Sequence, residues 1–104
     1  MRAPGLAELA ALDESAFRAR FRKSPVRRIG RARFLRNVLI AIGNSGAPHL
    51  AASARALLAD ESPLVRGAAV WALSRLLPAE EFRGLRDDGE ADAGVRAEWD
   101  AGLT

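Results

Sequence analysis

Cysteine is absent from this chain of 104 residues, so its own side chains cannot form a disulfide, a thiolate metal site or an iron–sulfur cluster. Tyrosine is also absent, and a single histidine, His49, excludes a cluster of histidine metal ligands. We expect His49 to be exposed to solvent and not catalytic. The sequence therefore predicts a chain that holds no cofactor and carries out no catalysis by itself.

Long apolar runs are missing too. No stretch approaches the ~18–20 apolar residues that a membrane-spanning helix needs. Pro4, Gly5 and Glu8 interrupt the first ten residues, which therefore do not resemble a signal peptide. These features predict a soluble, cytoplasmic protein with no membrane partner.

The composition that remains favours helices. Hydrophobic residues make up 49% of the chain and charged residues 28%, which is typical of a globular protein. Only 6% of the residues are aromatic, whereas alanine and leucine dominate. Because these residue types favour helix over sheet, we predict one small all-α domain.

The charges are distributed unevenly along the chain. Residues 18–36 contain nine basic residues and no acid, whereas residues 80–100 contain eight acids and three arginines. Such segregation indicates a polyanionic partner near the basic segment. Two alternatives stay open: an acidic partner protein, or neutralisation of one segment by the other within the fold.

Helix start and stop signals divide the chain. Asp13 or Ser15 can cap a helix that runs to about residue 22 and places Phe17 and Phe21 on one face. Pro25 is expected to end it, because the residue before a proline avoids the helical region. A loop is predicted at residues 23–30. Other helices are predicted at residues 6–12, 31–42, 47–59, 63–76, 78–86 and 93–102, with a stop at residues 43–46.

A weak repeat with a period near 30 residues runs through these helices. Val65-Arg66 recurs as Val95-Arg96, and Ala41-Ile42 matches Ala72-Leu73. In an all-helical chain this period is typical of stacked hairpins, and it predicts a short α-solenoid of about two and a half units. The predicted division is a leader at 1–12, a first helix and basic loop at 13–30, repeats at 31–62 and 63–92, and a partial repeat at 93–104.

The helix at residues 31–42 has an apolar face and a polar face. At 100° per residue, Arg33, Arg36 and Asn37 project from the polar face. Ile40 lies in the middle of that face. It is either a single exposed residue or a contact point for something outside this chain.

The basic segment offers several guanidinium groups beside a helix start. Arginine binds phosphate in a bidentate manner, and a helix N-terminus adds backbone donors. Such contacts position a nucleic-acid backbone without reading its bases. The alternative is a solvated basic face, or arginines that form ion pairs with the acidic segment. The candidate RNA-binding residues are Lys23, Arg27, Arg28, Arg31, Arg33, Arg36 and Asn37.

Three segments resemble the C-terminal region of epoxyqueuosine reductase, the last enzyme of queuosine synthesis in tRNA. They are LDESAFR at residues 12–18, SPVRRIGRARFLRNVLIAIGNSG at 24–46 and DESPLVRGAAVWAL at 60–73. The resemblance covers roughly residues 9–99. The second segment is the most specific, whereas the third is common to HEAT-like repeats in general.

The resemblance implies a HEAT-like domain that helps to hold the tRNA anticodon stem-loop over an active site. It also implies that cobalamin and two [4Fe–4S] clusters, which the family uses, are held by other domains that this chain does not contain. Two functions follow. One is a non-catalytic tRNA-binding module, and the other is a HEAT-like scaffold for protein interaction, which includes contact with the catalytic domains of an epoxyqueuosine reductase.

Overall fold

The computed structural model describes residues 5–103, in which helices alternate with short turns and loops and no strand is present. The predicted all-α class is therefore confirmed over this range. Residues 1–4 of the predicted leader, and residue 104, lie outside the described part. The α-helices are α1 (Leu6–Ala10), α2 (Glu14–Arg20), α3 (Val26–Ile29), α4 (Arg31–Asn44), α5 (Ala51–Ala56), α6 (Pro63–Leu76), α7 (Ala79–Gly84) and α8 (Ala93–Gly102).

Side-chain caps explain where three of these helices begin. The Asp13 carboxylate accepts a hydrogen bond from the Ala16 N–H at 2.7 Å and starts α2. The Ser62 hydroxyl and the Asp92 carboxylate accept corresponding bonds at 3.4 and 3.0 Å and start α6 and α8. Each cap satisfies a backbone donor that the first turn leaves without a partner. The predicted bounds of α6 and α8 are confirmed.

The prediction of a loop at residues 23–30 is wrong, because α3 forms one helical turn inside it. Pro25 was interpreted only as a stop, but its φ of −57° also suits the start of a helix. The Ser24 hydroxyl accepts from the Val26 N–H at 3.2 Å and steadies this turn. Gly30, with φ of +86°, then separates α3 from α4.

The predicted stop at residues 43–46 begins two residues early, because the helix was predicted to end at residue 42. Helix α4 continues through Asn44, and the chain leaves it at Ser45 and at Gly46, whose φ is +66°. Gly43 instead allows α4 to approach α6 closely. A Cβ atom at Gly43 would lie 2.5 Å from Trp71 Cζ3 and 3.1 Å from Ala72 Cα.

Helices α4, α6 and α8 lie side by side in chain order, and the shorter helices pack against them. Helix α1 packs on α4, and both α5 and α7 contact α6. The predicted helix at residues 47–59 is divided into α5 and two flanking 3-10 turns, Pro48–Leu50 and Leu57–Ala59. The largest fully buried side chains are Phe17, Phe82, Leu35, Leu39, Ile42, Leu73, Val65, Val70 and Val95.

Aromatic rings attach α2 to this core. The rings of Phe17, Phe21 and Phe34 contact one another with centroids 5.0–5.4 Å apart. Phe17 is almost fully buried although it lies on a helix of only seven residues. The predicted pairing of Phe17 and Phe21 on one face is confirmed, and Phe34 supplies the surface of α4 on which they rest.

The turns before α6 and α8 have matching hydrogen bonds. Asp60 Oδ2 accepts from the Ser62 N–H at 3.0 Å, and Glu90 Oε2 accepts from the Asp92 N–H at 2.9 Å. In both turns the arginine that lies four residues after the helix cap donates to two backbone carbonyls of the turn, at 2.6–3.1 Å. These arginines are Arg66 and Arg96. The two turns are thus held alike at a separation of 30 residues.

Candidate nucleic-acid interface

Four basic side chains surround a depression beside α3. Lys23, Arg27 and Arg28 line it together with Arg22, and its volume is about 580 Å³. All four residues are exposed. Arg22 was not among the predicted site residues because the first helix was expected to include it. The position of Arg22 within the run of basic residues was the sequence signal that could have identified it.

Three further candidates lie on the exposed face of α4. Arg33, Arg36 and Asn37 are all exposed, as the helical spacing predicts. Residues three apart on a helix are neighbours, with Cβ atoms about 5–6 Å apart, so Arg33 and Arg36 form a second pair of cations. The Arg36 guanidinium donates a long hydrogen bond to the amide oxygen of Asn37, at 3.5 Å.

Six of the nine basic residues between 18 and 36 form no ion pair with the residues that the structure describes. Two of the others are paired locally, because Arg18 contacts Glu14 at 3.3 Å and Arg20 contacts Glu8 at 2.8 Å. No carboxylate among the described residues forms an ion pair with these six cations. They are Arg22, Lys23, Arg27, Arg28, Arg33 and Arg36, which we call the basic surface.

Arg31 is placed differently from the other predicted site residues. Its guanidinium donates to Asp60 Oδ1 at 2.9 Å and to the carbonyl of Leu12 at 2.8 Å. The side chain is only 16% exposed, and that of Asp60 only 8%. Arg31 therefore joins the start of α4 to the turn before α6 and does not belong to the basic surface.

Two carboxylates in the turns have lowered pKa values. Burial by itself would raise the pKa of Asp60, but the hydrogen bond from Arg31, the Ser62 N–H and the charges of Arg31 and Arg66 hold it below its usual value. The pKa of Glu90 is lowered by hydrogen bonds from Arg66 and from the Asp92 N–H. Each carboxylate also accepts a backbone hydrogen bond within its turn, so the charged form is the one that the turn stabilises.

The acidic segment contacts arginines other than those of the basic surface. Glu90 receives a bidentate pair of bonds from Arg66 at 2.8 and 3.0 Å, and Arg86 contacts Asp100 at 2.8 Å. Within residues 5–103, no pair joins residues 80–100 to the basic surface. Among the described side chains, the acidic segment therefore does not neutralise the basic segment.

A groove lined by eleven residues lies on the other side of Arg36, between α4, α6 and α8, with a volume of about 660 Å³. Ile40 of α4 and Leu64 of α6 border it and are 40% and 41% exposed. Trp71 contributes to its wall, and Glu98 of α8 lies at its far edge. The position of Ile40 on a polar helix face was the only sequence signal for this groove.

The described residues offer little else that suggests chemistry. His49 is exposed, as predicted. No group of three or more histidine, aspartate or glutamate side chains in residues 5–103 is arranged to hold a metal ion. The complete sequence has no thiolate that could ligate an iron–sulfur cluster. None of the helices in the described range has the length and apolar character needed to cross a bilayer.

Comparison with known proteins confirms the resemblance to epoxyqueuosine reductase. A protein of that name from Xanthomonas campestris is 39% identical over 71 residues, and one from Alicycliphilus denitrificans is 42% identical over 80 residues. Each alignment covers 67% of this chain but only 20% and 22% of the relatives. The chain thus spans about a fifth of the length of the curated relatives it matches. No family model matches the sequence, and no solved structure matches it with significance.

Proposed function

We propose that this chain is a non-catalytic RNA-binding module that docks a tRNA anticodon stem-loop on the basic surface. The observation that carries the proposal is the set of six exposed cations that have no acidic partner among the described residues. Arginine-rich surfaces of this kind bind phosphates and exchange their counterions for the nucleic acid. The tRNA enters the proposal through what the resemblance to epoxyqueuosine reductase implies, and both relatives carry that name.

The proposed architecture is a short HEAT-like solenoid. Its support is the side-by-side order of α4, α6 and α8 and the two turns, 30 residues apart, with matching hydrogen bonds. We keep the predicted division into repeats at residues 31–62 and 63–92, preceded by residues 1–12 and 13–30 and followed by a partial repeat at 93–104. Such an array would hold the basic surface on a stiff frame.

Recognition in this proposal depends on the position of phosphates and not on base stacking. The rings of Phe17, Phe21 and Phe34 contact one another, so they do not form an open platform for bases. Four cations around one depression and two more on α4 suit a folded hairpin whose backbone passes both groups. We propose that the module acts in the cytoplasm and holds neither cobalamin nor an iron–sulfur cluster itself.

The proposal is tested by titrating the chain with an anticodon stem-loop of a queuosine-type tRNA at low salt. We expect binding in the micromolar range and a loss of at least about tenfold in Arg27→Ala/Arg28→Ala, because each lost phosphate contact weakens the complex. The matched control is Arg55→Ala/Arg83→Ala, which removes two exposed arginines elsewhere. Equal weakening in both variants would show nonspecific attraction and refute the assigned surface.

An interdomain scaffold is the second candidate function. It is favoured by the fact that the chain matches only about a fifth of each relative. In this role the partner is the catalytic part of an epoxyqueuosine reductase. The scaffold function would be supported if the chain bound this catalytic part, supplied as a separate protein, and if Arg27→Ala/Arg28→Ala bound it equally well. If the chain bound RNA but did not form that complex, the RNA-binding function would be supported and the scaffold function excluded.

A further inference from the structure

The exposed apolar side chains of the described chain are concentrated on one face. Its exposed large hydrophobic residues are Ile29, Ile40 and Leu64. Ile40 and Leu64 border the groove, and Leu64 with Ile29 lines the adjoining depression. Leaving these side chains in water is unfavourable, and a contiguous apolar surface of this kind marks an interaction site. The proposed phosphate contacts do not involve these three side chains, although Arg36 of the basic surface lies at the edge of the groove.

The charges at the edges of the groove limit what can bind there. Arg36 lies on the α4 side, and Asp92 and Glu98 lie on the α8 side. Asp92 is occupied as the cap of α8, but Glu98 makes no hydrogen bond or ion pair with the described residues. Carboxylates at the rim repel an RNA backbone, and they attract a Lys or Arg side chain beside an apolar group.

The dimensions of the groove indicate a short occupant. Arg36, Ile40 and Asn44 follow one another at intervals of one turn along α4, a span of about 12 Å. This length corresponds to two or three turns of helix.

From these observations we propose that the groove binds a short amphipathic helix of a partner protein. Two aliphatic side chains of that helix, spaced i and i+4, lie between Ile40 and Leu64. A basic side chain faces Glu98, and an acidic one faces Arg36. This is the helix-in-groove mode of recognition, in which apolar anchors supply affinity and the rim charges fix the orientation.

The test is a selection from a displayed library of helical peptides of about 12–16 residues against the full chain. We expect enriched sequences with two large aliphatic residues at i, i+4 and a flanking basic residue. Their affinity should fall at least about tenfold in Ile40→Lys but not in Ile29→Lys, which adds the same charge outside the groove. Glu98→Lys should change the selected flanking residue from basic to acidic.

Other outcomes would overturn the proposal. Failure to enrich any such sequence, or equal binding to Ile40→Lys, excludes a helix in this groove. If Ile40→Lys no longer bound the anticodon stem-loop while circular dichroism showed an intact fold, the groove would be assigned to RNA binding. The proposal does not rest on RNA binding, because Arg27→Ala/Arg28→Ala leaves the groove unchanged and should bind the peptides fully.

Discussion

At the scale of single residues, the arginines between 18 and 36 have different roles although the sequence presents them as one run. Arg27 and Arg28 extend into solvent, whereas Arg31 is mostly buried against Asp60. The difference arises from a partner 29 residues away, which no local pattern reveals. A buried guanidinium needs such a partner, since an uncompensated buried charge is costly.

The lowered pKa values of Asp60 and Glu90 predict a loss of stability in acid. Because these carboxyls bind protons less readily in the folded chain than in the unfolded chain, their contribution is complete only above about pH 5, where the unfolded carboxyls are ionised, and it disappears as the pH falls through the lowered pKa values of the folded chain. We expect Asp60→Asn to lower the free energy of unfolding by about 1–3 kcal/mol at pH 7 and to flatten this pH dependence.

Urea unfolding between pH 7 and pH 3, followed by circular dichroism, measures this effect. Glu80→Gln is the matched control, because Glu80 is exposed and forms no ion pair in the described part of the chain. An Asp60→Asn profile as steep as that of the unchanged protein would show that the Arg31–Asp60 pair contributes nothing to acid sensitivity.

Gly43 provides a second prediction at this scale. Alanine there would place its Cβ within 3.1 Å of Trp71 and Ala72, so α4 and α6 would have to separate. We expect Gly43→Ala to destabilise the protein by about 1–3 kcal/mol, as overpacking does. Gly84→Ala is the control, because a Cβ at Gly84 meets nothing within 4 Å. Chemical denaturation followed by tryptophan fluorescence measures the stability of both variants. Equal stabilities would contradict the close approach of α4 to α6 at Gly43.

At the scale of elements, the sequence predicts best where a helix is determined by its own residues. Helices α6 and α8 follow from a capping side chain and the apolar spacing behind it, and their bounds are confirmed. Helix α3 was missed because Pro25 was interpreted as a stop. A second Ser-Pro pair, Ser62-Pro63, stands at the start of α6, so the pair is also compatible with a helix start. The end of α4 was placed early because the contact that requires Gly43 lies on another helix.

Helix α2 depends on its aromatic contacts more than on its length. Seven residues are too few for a helix that is stable by itself. We therefore expect Phe17→Ala to abolish amide protection in α2 while α6 keeps most of its protection, since Phe17 joins α2 to α4 and not to α6. Hydrogen exchange with mass spectrometry resolves the two helices. Simultaneous loss in both would show that the cluster supports the whole core.

At the scale of the whole molecule, α4 borders two different surfaces. Arg33 and Arg36 extend the basic surface, and Arg36 and Ile40 border the groove. The sequence predicted the exposed cations, since a charge run on a polar face is visible locally. It did not predict that Leu64 and Trp71 would line one groove with Ile40, because that arrangement depends on how α4 and α6 pack. RNA contact by the basic surface stays a prediction.

The measurement that tests the central proposal most directly is the salt dependence of binding to the anticodon stem-loop. For contacts with several phosphates, the logarithm of the binding constant should fall linearly with the logarithm of salt concentration, by about 0.7–0.9 per contact. We expect a slope of about −3 to −5 and a reduction of about 2 in its magnitude in Arg27→Ala/Arg28→Ala. A slope near zero, or one unchanged in that variant, would contradict docking on the basic surface.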